Sequence, residues 1–231
     1  VWQGFDVAVC RAVAAAVLND SDAIEFVPTT GKTRFTALAS GEIDMLARNT
    51  TWTFSRDVDL KFEFVGVNYY DGQGFMAKAD LGVSSATELD GATVCIQTGT
   101  TTELNLADFF RSNNMSYEAV PVETGSEAVT NYLAGACDVF TTDRSALAAR
   151  RANFEVPTDH VVLPEIVSKE PLGPLVRHGD NNWGDVVRWT LNALITAEEL
   201  GVTSANLEEM SKGTNTVSYT HLTLPTIGEV L

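Results

Sequence analysis

The sequence predicts an α/β protein with two lobes, and three observations lead to that prediction. Segments typical of strands and of helices alternate along the chain, the alternation restarts once after a Gly-punctuated segment, and a long amphipathic helix follows a second crossing segment. Alternating strands and helices favour mostly parallel sheets flanked by helices. The chain has 231 residues, 45% hydrophobic and 20% charged, which is sufficient for one or two domains with buried cores.

The first run of elements opens with a helix over residues 6–18, where Ala and Val recur at helical spacing. The following segments predict a strand at "IEFVPT", a helix at "GKTRFTALASGEID" that stops at Gly41, and a strand at "IDMLA". This order indicates a parallel sheet. The segment "GVNYYDGQGFMAKAD" then places three glycines among apolar residues, which is typical of a crossover or hinge.

The second run repeats the same alternation. It predicts strands at "ATVCIQ", "YEAVPV" and "CDVFTTD" and helices at "TTTELNLADFFRSN", "SEAVTNYLAGA" and "RSALAARRA". After "HVVLPEI", the segment "KEPLGPLVRHGD" is typical of a second crossing strand with a turn. The helix "WGDVVRWTLNALITAEELG" ends at Gly201, and a short helix follows at "ANLEEMSK". Two similar units in succession indicate two lobes.

Charge and hydropathy exclude several classes of protein. The 31 acidic and 15 basic residues give a net charge of −16, which disfavours nucleic acid as a partner. No apolar run approaches the ~20 residues that span a bilayer. The chain does not begin with Met, and we interpret it as a fragment. Residues 213–231, which include "TVSYTHLTLPTIGEVL", lack periodicity, and we expect them to be a non-native tail.

The cysteines are few and predict no metal site. Cys95 and Cys137 lie in segments that we interpret as buried strands or strand edges, so neighbouring strands would bring them within disulfide reach. The alternative is two buried thiols, which are common in protein cores. No CxxC motif is present, and the three histidines are scattered. If Cys95 and Cys137 pair, Cys10 is the third cysteine of the sequence and has no cysteine left to pair with.

A hydroxyl-rich segment, "RNTTWTFSR" over residues 48–56, follows the predicted strand "IDMLA". Ser, Thr and Asn favour loops and turns for local reasons, so a solvated loop is one interpretation. The other interpretation is a site for a small charged ligand. In that case Arg56 would bind a carboxylate in a bidentate fashion, and Thr51 would add a hydrogen bond. Trp52 would form an apolar wall or pack beneath the loop.

A second hydroxyl-rich segment, "IQTGTTTEL", lies where a strand ends and a helix begins. Thr100 and Glu103 have the spacing of a capping box, so a helix cap is the simpler interpretation for Thr100. The same helix N-terminus offers N–H groups and partial positive charge, which suit a carboxylate or phosphate. Thr101 is predicted to contribute a hydrogen bond to the ligand. Both interpretations are compatible.

An acid follows the strand "CDVFTTD" and precedes the helix "RSALAARRA". Asp143 at this position is most simply an N-cap. A functional Asp143 would bind a cation such as an ammonium group. In open α/β sheets ligands bind at the carboxyl ends of strands, where Arg56, Thr101 and Asp143 are all predicted to lie. Together they would complement a zwitterion, with Tyr69 or Tyr70 packing on its apolar part or within the fold.

At this point the chain resembles a known family. Segments such as "GFDVAVCRAVAAAVL", "RFTALASGEIDMLARNTTWTFSRD", "VCIQTGTTTELNLADFF" and "HVVLPEIVSKEPLGP" are similar to the periplasmic binding proteins of general L-amino-acid ABC transporters, and the likeness extends to about Lys212. The resemblance implies the two-lobed type II periplasmic-binding-protein fold with a two-strand hinge, crossing near residues 68–76 and 167–175. It implies lobe 1 over residues 1–72, lobe 2 over 73–170 and a return to lobe 1 over 171–212.

The resemblance also implies function and site residues. We expect a monomeric periplasmic protein that binds L-amino acids with broad specificity and delivers them to permease subunits, with no catalytic activity, cofactor or metal. The carboxylate-binding arginine corresponds to Arg56, and the acid that binds the α-amino group corresponds to Asp143. The remaining expected ligand contacts are Asn49, Thr51, Thr100, Thr101, Trp52 and Tyr70. An oxidising compartment, implied by the family, would permit the Cys95–Cys137 disulfide.

The chain departs from the family at both ends. The family begins with a strand and loop ahead of "GFD", and that strand carries a cysteine that would pair with Cys10. Two other functions remain open. A dehydratase of the same fold would use a carboxylate as general acid, for which Asp143 is the candidate. An amino-acid-sensing domain of a receptor would be followed by a membrane span.

Overall fold

The computed structural model describes residues 2–212, which form two compact units. Within these residues, unit 1 comprises 2–28, 38–68 and 172–212, and unit 2 comprises Thr29–Ala37 and Tyr69–Pro171. The tail predicted over residues 213–231 lies outside the described residues. The predicted boundaries assigned all of residues 1–72 to lobe 1, whereas Thr29–Ala37 lies in unit 2.

The helices and strands follow the predicted alternation closely. The helices are α1 (Phe5–Leu18), α2 (Arg34–Ser40), α3 (Thr101–Ser112), α4 (Gly125–Leu133), α5 (Arg144–Ala152), α6 (Asn181–Glu199) and α7 (Leu207–Ser211). The strands are β1 (Phe62–Phe64), β2 (Tyr69–Asp71), β3 (Gln73–Lys78), β4 (Ala92–Gln97), β5 (Tyr117–Val122), β6 (Val139–Asp143), β7 (His160–Val162), β8 (Glu170–Leu172) and β9 (Leu175–Arg177).

Unit 1 is built on a short antiparallel pair. β1 pairs with β9, so that Phe64 lies opposite Leu175. Helices α1 and α6 pack on each other and on these strands, and their buried faces meet in a cluster of valines from four segments: Val13, Val65, Val176 and Val187. Helix formation here follows the Ala- and Val-rich periodicity of α1 and the apolar stripe of α6, because each helix buries its apolar face against the other.

Two predicted strands of unit 1 are not formed. Within the described part of the chain, residues 24–29 join no strand ladder, and residues 43–47 contribute a single bridge, Leu46 to Leu175. The prediction was wrong because an apolar run specifies burial, whereas a strand also requires a neighbour for its backbone N–H and C=O groups. Pro28 additionally removes one backbone donor.

Unit 2 contains a five-stranded mixed sheet in the order β5-β4-β6-β3-β7. β4 is parallel to both β5 and β6, as the strand–helix–strand connections through α3 and α4 require. β3 is antiparallel to both β6 and β7. The predicted parallel arrangement is therefore confirmed for β4, β5 and β6, the three strands joined by helices. β3 follows a crossing segment instead of a helix, and it runs in the opposite direction.

The sheet of unit 2 is buried on both faces. On one face, Phe75 and Ile96 pack against Phe110 of α3. On the other face, Met76 and Phe140 pack against Tyr132 of α4. Neighbours along a strand, such as Phe75 and Met76, point to opposite faces, and both are 0% exposed. Strands covered on both faces are continuously apolar, which is the pattern of "GFMA" and "VCI".

A disulfide links β4 to the segment before β6, as predicted. Cys95 and Cys137 lie 5.6 Å apart between Cα atoms and close a loop with a sequence separation of 42 residues. Cys10 of α1 is a buried thiol outside this bond. Burial, and secondarily the negative charge of Asp6, raise the pKa of Cys10 to about 12. The thiol is therefore uncharged at neutral pH.

The chain passes between the units in two extended segments. It enters unit 2 after Asn68 and returns to unit 1 after Pro171. β2 and β8, which lie at these passages, form a two-stranded sheet. Both passages fall within the predicted crossing segments. No helix among residues 2–212 is long and apolar enough to cross a membrane.

Candidate ligand-binding site

Arg56 is a buried cation in unit 1. It lies in a single π-helical turn, Ser55–Asp59, and is 7% exposed. Its Nη1 donates to the carbonyl oxygen of Thr51 at 2.8 Å, and its backbone N–H donates to Thr53 Oγ1 at 3.3 Å. The hydroxyl-rich loop therefore folds back on its own arginine and fixes the guanidinium in place.

The rest of this loop is anchored by its backbone to neighbouring segments of unit 1. Asn49 N–H donates to Asp6 Oδ2 at 2.9 Å, and the carbonyl of Thr50 accepts from Gly173 N–H at 3.1 Å. Thr51 forms a bridge to Leu172 and is 6% exposed. These contacts hold Asn49, Thr51 and Arg56 in one ordered loop, which is the arrangement expected of ligand-binding residues on a rigid support.

Trp52 packs against Phe64 and is 39% exposed, and its predicted role as an apolar wall of the ligand site stays a prediction. Its ring stacks on Phe64 with a centroid separation of 5.4 Å and an interplanar angle of 8°. Its Nε1 donates to Asp57 Oδ2 at 2.6 Å. These contacts use both the face and the polar edge of the indole. Arg48, at the other end of the loop, has a lowered pKa because of burial, opposed by the charge of Asp6.

Thr100 and Thr101 lie at the start of α3 in unit 2. Thr100 is the N-cap, since its side chain accepts from the N–H of Glu103. In a capping box the Glu103 side chain would accept from the backbone N–H of the N-cap residue, Thr100. Here Glu103 Oε2 accepts instead from the N–H of the preceding residue, Gly99, at 3.0 Å. Thr101 Oγ1 donates to Glu170 Oε2 at 3.1 Å. The capping interpretation of Thr100 is confirmed.

Asp143 occupies the N-cap position of α5, but its side chain makes no capping hydrogen bond. The predicted N-cap position of Asp143 is confirmed, but the side-chain hydrogen bond to the start of α5 comes from another carboxylate. Asp71 accepts from the backbone N–H of Ser145 at 3.3 Å, and the carbonyl of Gly72 accepts from Arg144 N–H at 2.9 Å. Asp143 itself is 5% exposed and lies opposite Gln73 in the β3–β6 ladder.

Two buried polar residues were not identified from the sequence. Glu170 is 2% exposed and accepts from Asn105 Nδ2 at 2.8 Å and from Ser168 Oγ at 2.5 Å, besides Thr101. Gln73 is 0% exposed, and its Nε2 donates to Thr102 O at 3.1 Å and to Thr141 Oγ1 at 2.9 Å. Each ties the first turn of α3 to a strand. Gln73 and Glu170 each lie in one of the two predicted crossing segments, next to apolar residues, and that position was the signal in the sequence that could have identified them.

Tyr70 lies apart from the other predicted site residues of unit 2. It is 81% exposed and lines a cavity with Tyr69 and Arg144, and neither Thr101 nor Asp143 lines that cavity. Among residues 2–212, no cluster of three or more His, Cys, Asp or Glu side chains is arranged to hold a metal ion.

The chain is similar to several known proteins. The model of the bacterial extracellular solute-binding proteins, family 3, matches residues 1–205. The glutamate/glutamine/aspartate/asparagine-binding protein BztA of Rhodobacter capsulatus is 65% identical over 93% of the chain and 63% of its own length. The general L-amino acid-binding periplasmic protein AapJ of Rhizobium johnstonii is 56% identical over the same shares of the two chains.

A solved structure has the same fold. The ABC transporter periplasmic binding protein from Brucella ovis with glutathione bound superimposes with a TM-score of 0.89 at 56% identity, covering 93% of this chain and 68% of that one. The chain spans 63% of the length of the curated relatives described above. From the matched family model and these relatives, we conclude that the chain belongs to the bacterial extracellular solute-binding proteins of family 3 and has the type II periplasmic-binding-protein fold.

Proposed function

We propose that the protein binds L-amino acids with broad specificity in the periplasm, as a monomer, and delivers them to the permease of an ABC transporter. The observation that carries the proposal is one buried residue of each charge in the two units: Arg56 of unit 1 is 7% exposed, and Asp143, the last residue of β6 in unit 2, is 5% exposed. An amino acid presents the complementary pair, an α-carboxylate and an α-ammonium group.

Arg56 is the proposed carboxylate anchor. A guanidinium binds a carboxylate through two parallel N–H···O bonds, and a buried site strengthens them. Arg56 is already oriented by its bond to the Thr51 carbonyl, so less conformational entropy is lost when the ligand binds. Asn49 and Thr51, in the same loop, are proposed to add hydrogen bonds to the ligand.

Asp143 is the proposed ammonium anchor. Asp143 is buried, at 5% exposed, at the point where β6 ends and α5 begins. Thr100 and Thr101 are proposed to contribute hydrogen bonds from the start of α3. Trp52 and Tyr70 are omitted from this set because Trp52 packs on Phe64 and Tyr70 lines a different cavity.

The relatives support this class of ligand. The names of BztA and AapJ describe binding of four acidic and amide amino acids and of general L-amino acids. Glutathione, bound in the Brucella ovis structure, carries an α-carboxylate and an α-ammonium group at its glutamyl end. Anchors for the groups that all these ligands share would give broad specificity, and the side-chain pocket would set the preference among them.

Delivery would depend on a change of conformation. A ligand that binds one conformation of the protein more tightly than another shifts the population toward that conformation. Occupancy is thereby converted into a distinct shape that a permease can recognise. No catalytic step is proposed, because the anchor roles account for Arg56 and Asp143 without a proton transfer.

Isothermal titration calorimetry with glutamate, alanine and histidine tests this proposal. Arg56→Ala should weaken binding of all three by about 2–5 kcal/mol, since it removes one partner of a buried charge pair. Asp143→Asn, which keeps the side-chain shape, should do the same. The matched control is Arg111→Ala, because the Arg111 side chain is 78% exposed on α3.

Circular dichroism would establish that each variant is folded, and Arg56→Lys would provide a milder change that keeps the positive charge. Loss of binding for one amino acid with retention of the other two would contradict the shared-anchor proposal. The same conclusion would follow if Arg56→Ala and Arg111→Ala bound the three ligands equally.

A further inference from the structure

A groove of about 750 Å³ runs along α5 in unit 2. We call it the α5 groove, and six of its lining residues carry the inference: Tyr69, Tyr70, Arg144, Ala148, Arg151 and Ile166. The volume is within the range of pockets that hold small molecules. None of the proposed amino-acid anchors lines this groove, so it is a separate feature of the molecule.

One face of α5 forms the floor of the groove. Arg144, Ala148 and Arg151 are spaced by four and three residues, which places them in one row on the helix surface. Ala148 is exposed and short, so the middle of the row is a depression. The two arginines are about 10 Å apart along the helix axis, at the two ends of that depression.

Both guanidinium groups are fixed by backbone carbonyls. Arg144 Nη1 donates to the carbonyls of Leu163, at 2.7 Å, and of Glu165, at 3.1 Å, with a longer contact to Pro164. Arg151 Nε donates to the carbonyl of Pro157 at 2.9 Å. Among residues 2–212, neither arginine forms an ion pair with a carboxylate. The groove therefore holds two cations, Arg144 and Arg151, beside the carboxylate of Asp71, in a chain of net charge −16.

The carboxylate that also lines the groove is already engaged. Asp71 accepts from Gly72 N–H at 2.8 Å and from both the N–H and the hydroxyl of Ser145. Asp71 therefore accepts from a backbone N–H group in the first turn of α5, and all of these donors are uncharged. A ligand carboxylate would meet one cation at either end of this helix face.

The opposite wall of the groove is apolar and solvent-accessible. Ile166 is 63% exposed, Tyr70 is 81% exposed and Tyr69 is 47% exposed. A Cβ on Gly72 would lie 2.4 Å from Ile166 Cγ2, so glycine at this position is what permits Ile166 to approach β3. Adjacent large apolar side chains on a surface are characteristic of binding sites.

We propose that the α5 groove is a second ligand site, which binds a small amphipathic carboxylate. The carboxylate is bound by Arg151 at one end of the depression, and the apolar body of the ligand packs on Ile166 and the two tyrosines. Arginine binds a carboxylate through paired hydrogen bonds and also packs on aromatic rings, so both parts of such a ligand are complemented. This inference does not depend on the amino-acid site.

The probe for the test is indole-3-acetate, titrated into the purified protein in the presence of saturating L-glutamate and followed by calorimetry and NMR. Indole-3-acetate is expected to bind, and the neutral indole-3-acetamide is expected to bind about tenfold more weakly, because it lacks the charge that Arg151 recognises. The presence of L-glutamate keeps any amino-acid site occupied throughout.

Two alanines of α5 provide a matched pair of variants. Ala148→Phe fills the floor of the groove and should weaken indole-3-acetate binding about tenfold or more. Ala149→Phe places the same side chain on an exposed neighbouring position that does not line the groove, and should leave binding unchanged. Arg151→Gln should reduce the preference for the acetate over the acetamide.

Absence of measurable binding by the unmodified protein would overturn the proposal. Equal binding of the acetate and the acetamide, or equal losses in the two alanine variants, would do so as well. Amino-acid binding measured in Ala148→Phe should be unchanged, which separates this result from a failure of the anchors Arg56 and Asp143.

Discussion

His160 shows how a single buried residue makes the stability of unit 2 depend on pH. It is 7% exposed, its Nδ1 lies 2.8 Å from Tyr132 Oη, and its ring packs on Phe154. Burial lowers the pKa of His160 below 6.5, and the positive charges of Lys78 and Arg151 act in the same direction. Asp159 and Asp80 oppose this shift.

The free energy of unfolding should therefore decrease as pH falls below 6.5 toward the lowered pKa of His160. In that interval the unfolded chain binds a proton at His160 and the folded chain does not, so acid favours unfolding. Urea unfolding at a series of pH values, for the unmodified protein and His160→Gln, measures the effect. The variant should have a smaller slope in this interval, and an unchanged slope would contradict the assignment.

The sequence was sufficient to predict the position of Asp143 in the fold, but not the contacts around it. Its position after a strand and before a helix was predictable, because the alternation of elements places it there. The residue that caps α5 was not predictable, since Asp71 lies 74 positions from Ser145 along the chain. The environment of a side chain depends on such long-range contacts, whereas its secondary structure is largely encoded locally. The roles proposed for Arg56 and Asp143 remain predictions.

Among the elements, β4 and β6 of unit 2 depend on a covalent link. The Cys95–Cys137 bond closes a loop with a sequence separation of 42 residues. In the loop-entropy model, the cross-link lowers the conformational entropy of the unfolded chain and so raises its free energy by about 4 kcal/mol. Both cysteines are buried, at 0% and 1% exposed, so they also contribute to the core.

Replacing both cysteines by alanine should lower the free energy of unfolding by about 2–5 kcal/mol, since the unfolded chain regains freedom and the core loses two sulfur atoms. Urea unfolding followed by circular dichroism measures this loss. Cys10→Ala is the matched control, because it removes a buried sulfur without opening a loop. Equal effects of the two changes would contradict a role for the cross-link.

Elements with strong periodicity were predicted well, and those that depend on a partner were not. The long helices α1, α3 and α6 and the strands β4, β5 and β6 lie where their patterns indicated. Residues 24–29 and 43–47 have strand-like composition, but a ladder is a property of two segments and cannot be read from one. The antiparallel direction of β3 was not predicted either, because the direction of a strand also depends on the neighbours with which it pairs.

For the whole molecule, the proposed function predicts that the folded protein gains stability when an amino acid binds. An amino acid at a hundredfold excess over its Kd should stabilise the folded protein by about 2.7 kcal/mol, provided that it binds only the folded chain. Hydrogen exchange should slow at the loop of Arg56 in unit 1 and at the start of α3 in unit 2, because each segment contains residues that are proposed ligand contacts.

Hydrogen-exchange mass spectrometry with and without L-glutamate measures this response, and Arg56→Ala should abolish it in both units. Protection confined to one of these two segments would contradict the proposed set of ligand contacts. Indole-3-acetate, in contrast, should protect only segments of unit 2 that border the α5 groove.

The cysteines of this chain have a further use as chemical reporters. The buried thiol lies on α1 of unit 1, and the disulfide lies in unit 2. An alkylating reagent can react with Cys10 only when α1 moves away from its neighbours, whereas a reductant can reach Cys95 and Cys137 only when the sheet of unit 2 opens. Mass spectrometry distinguishes the two products, so the opening of each unit can be followed in one sample at the chain's own cysteines.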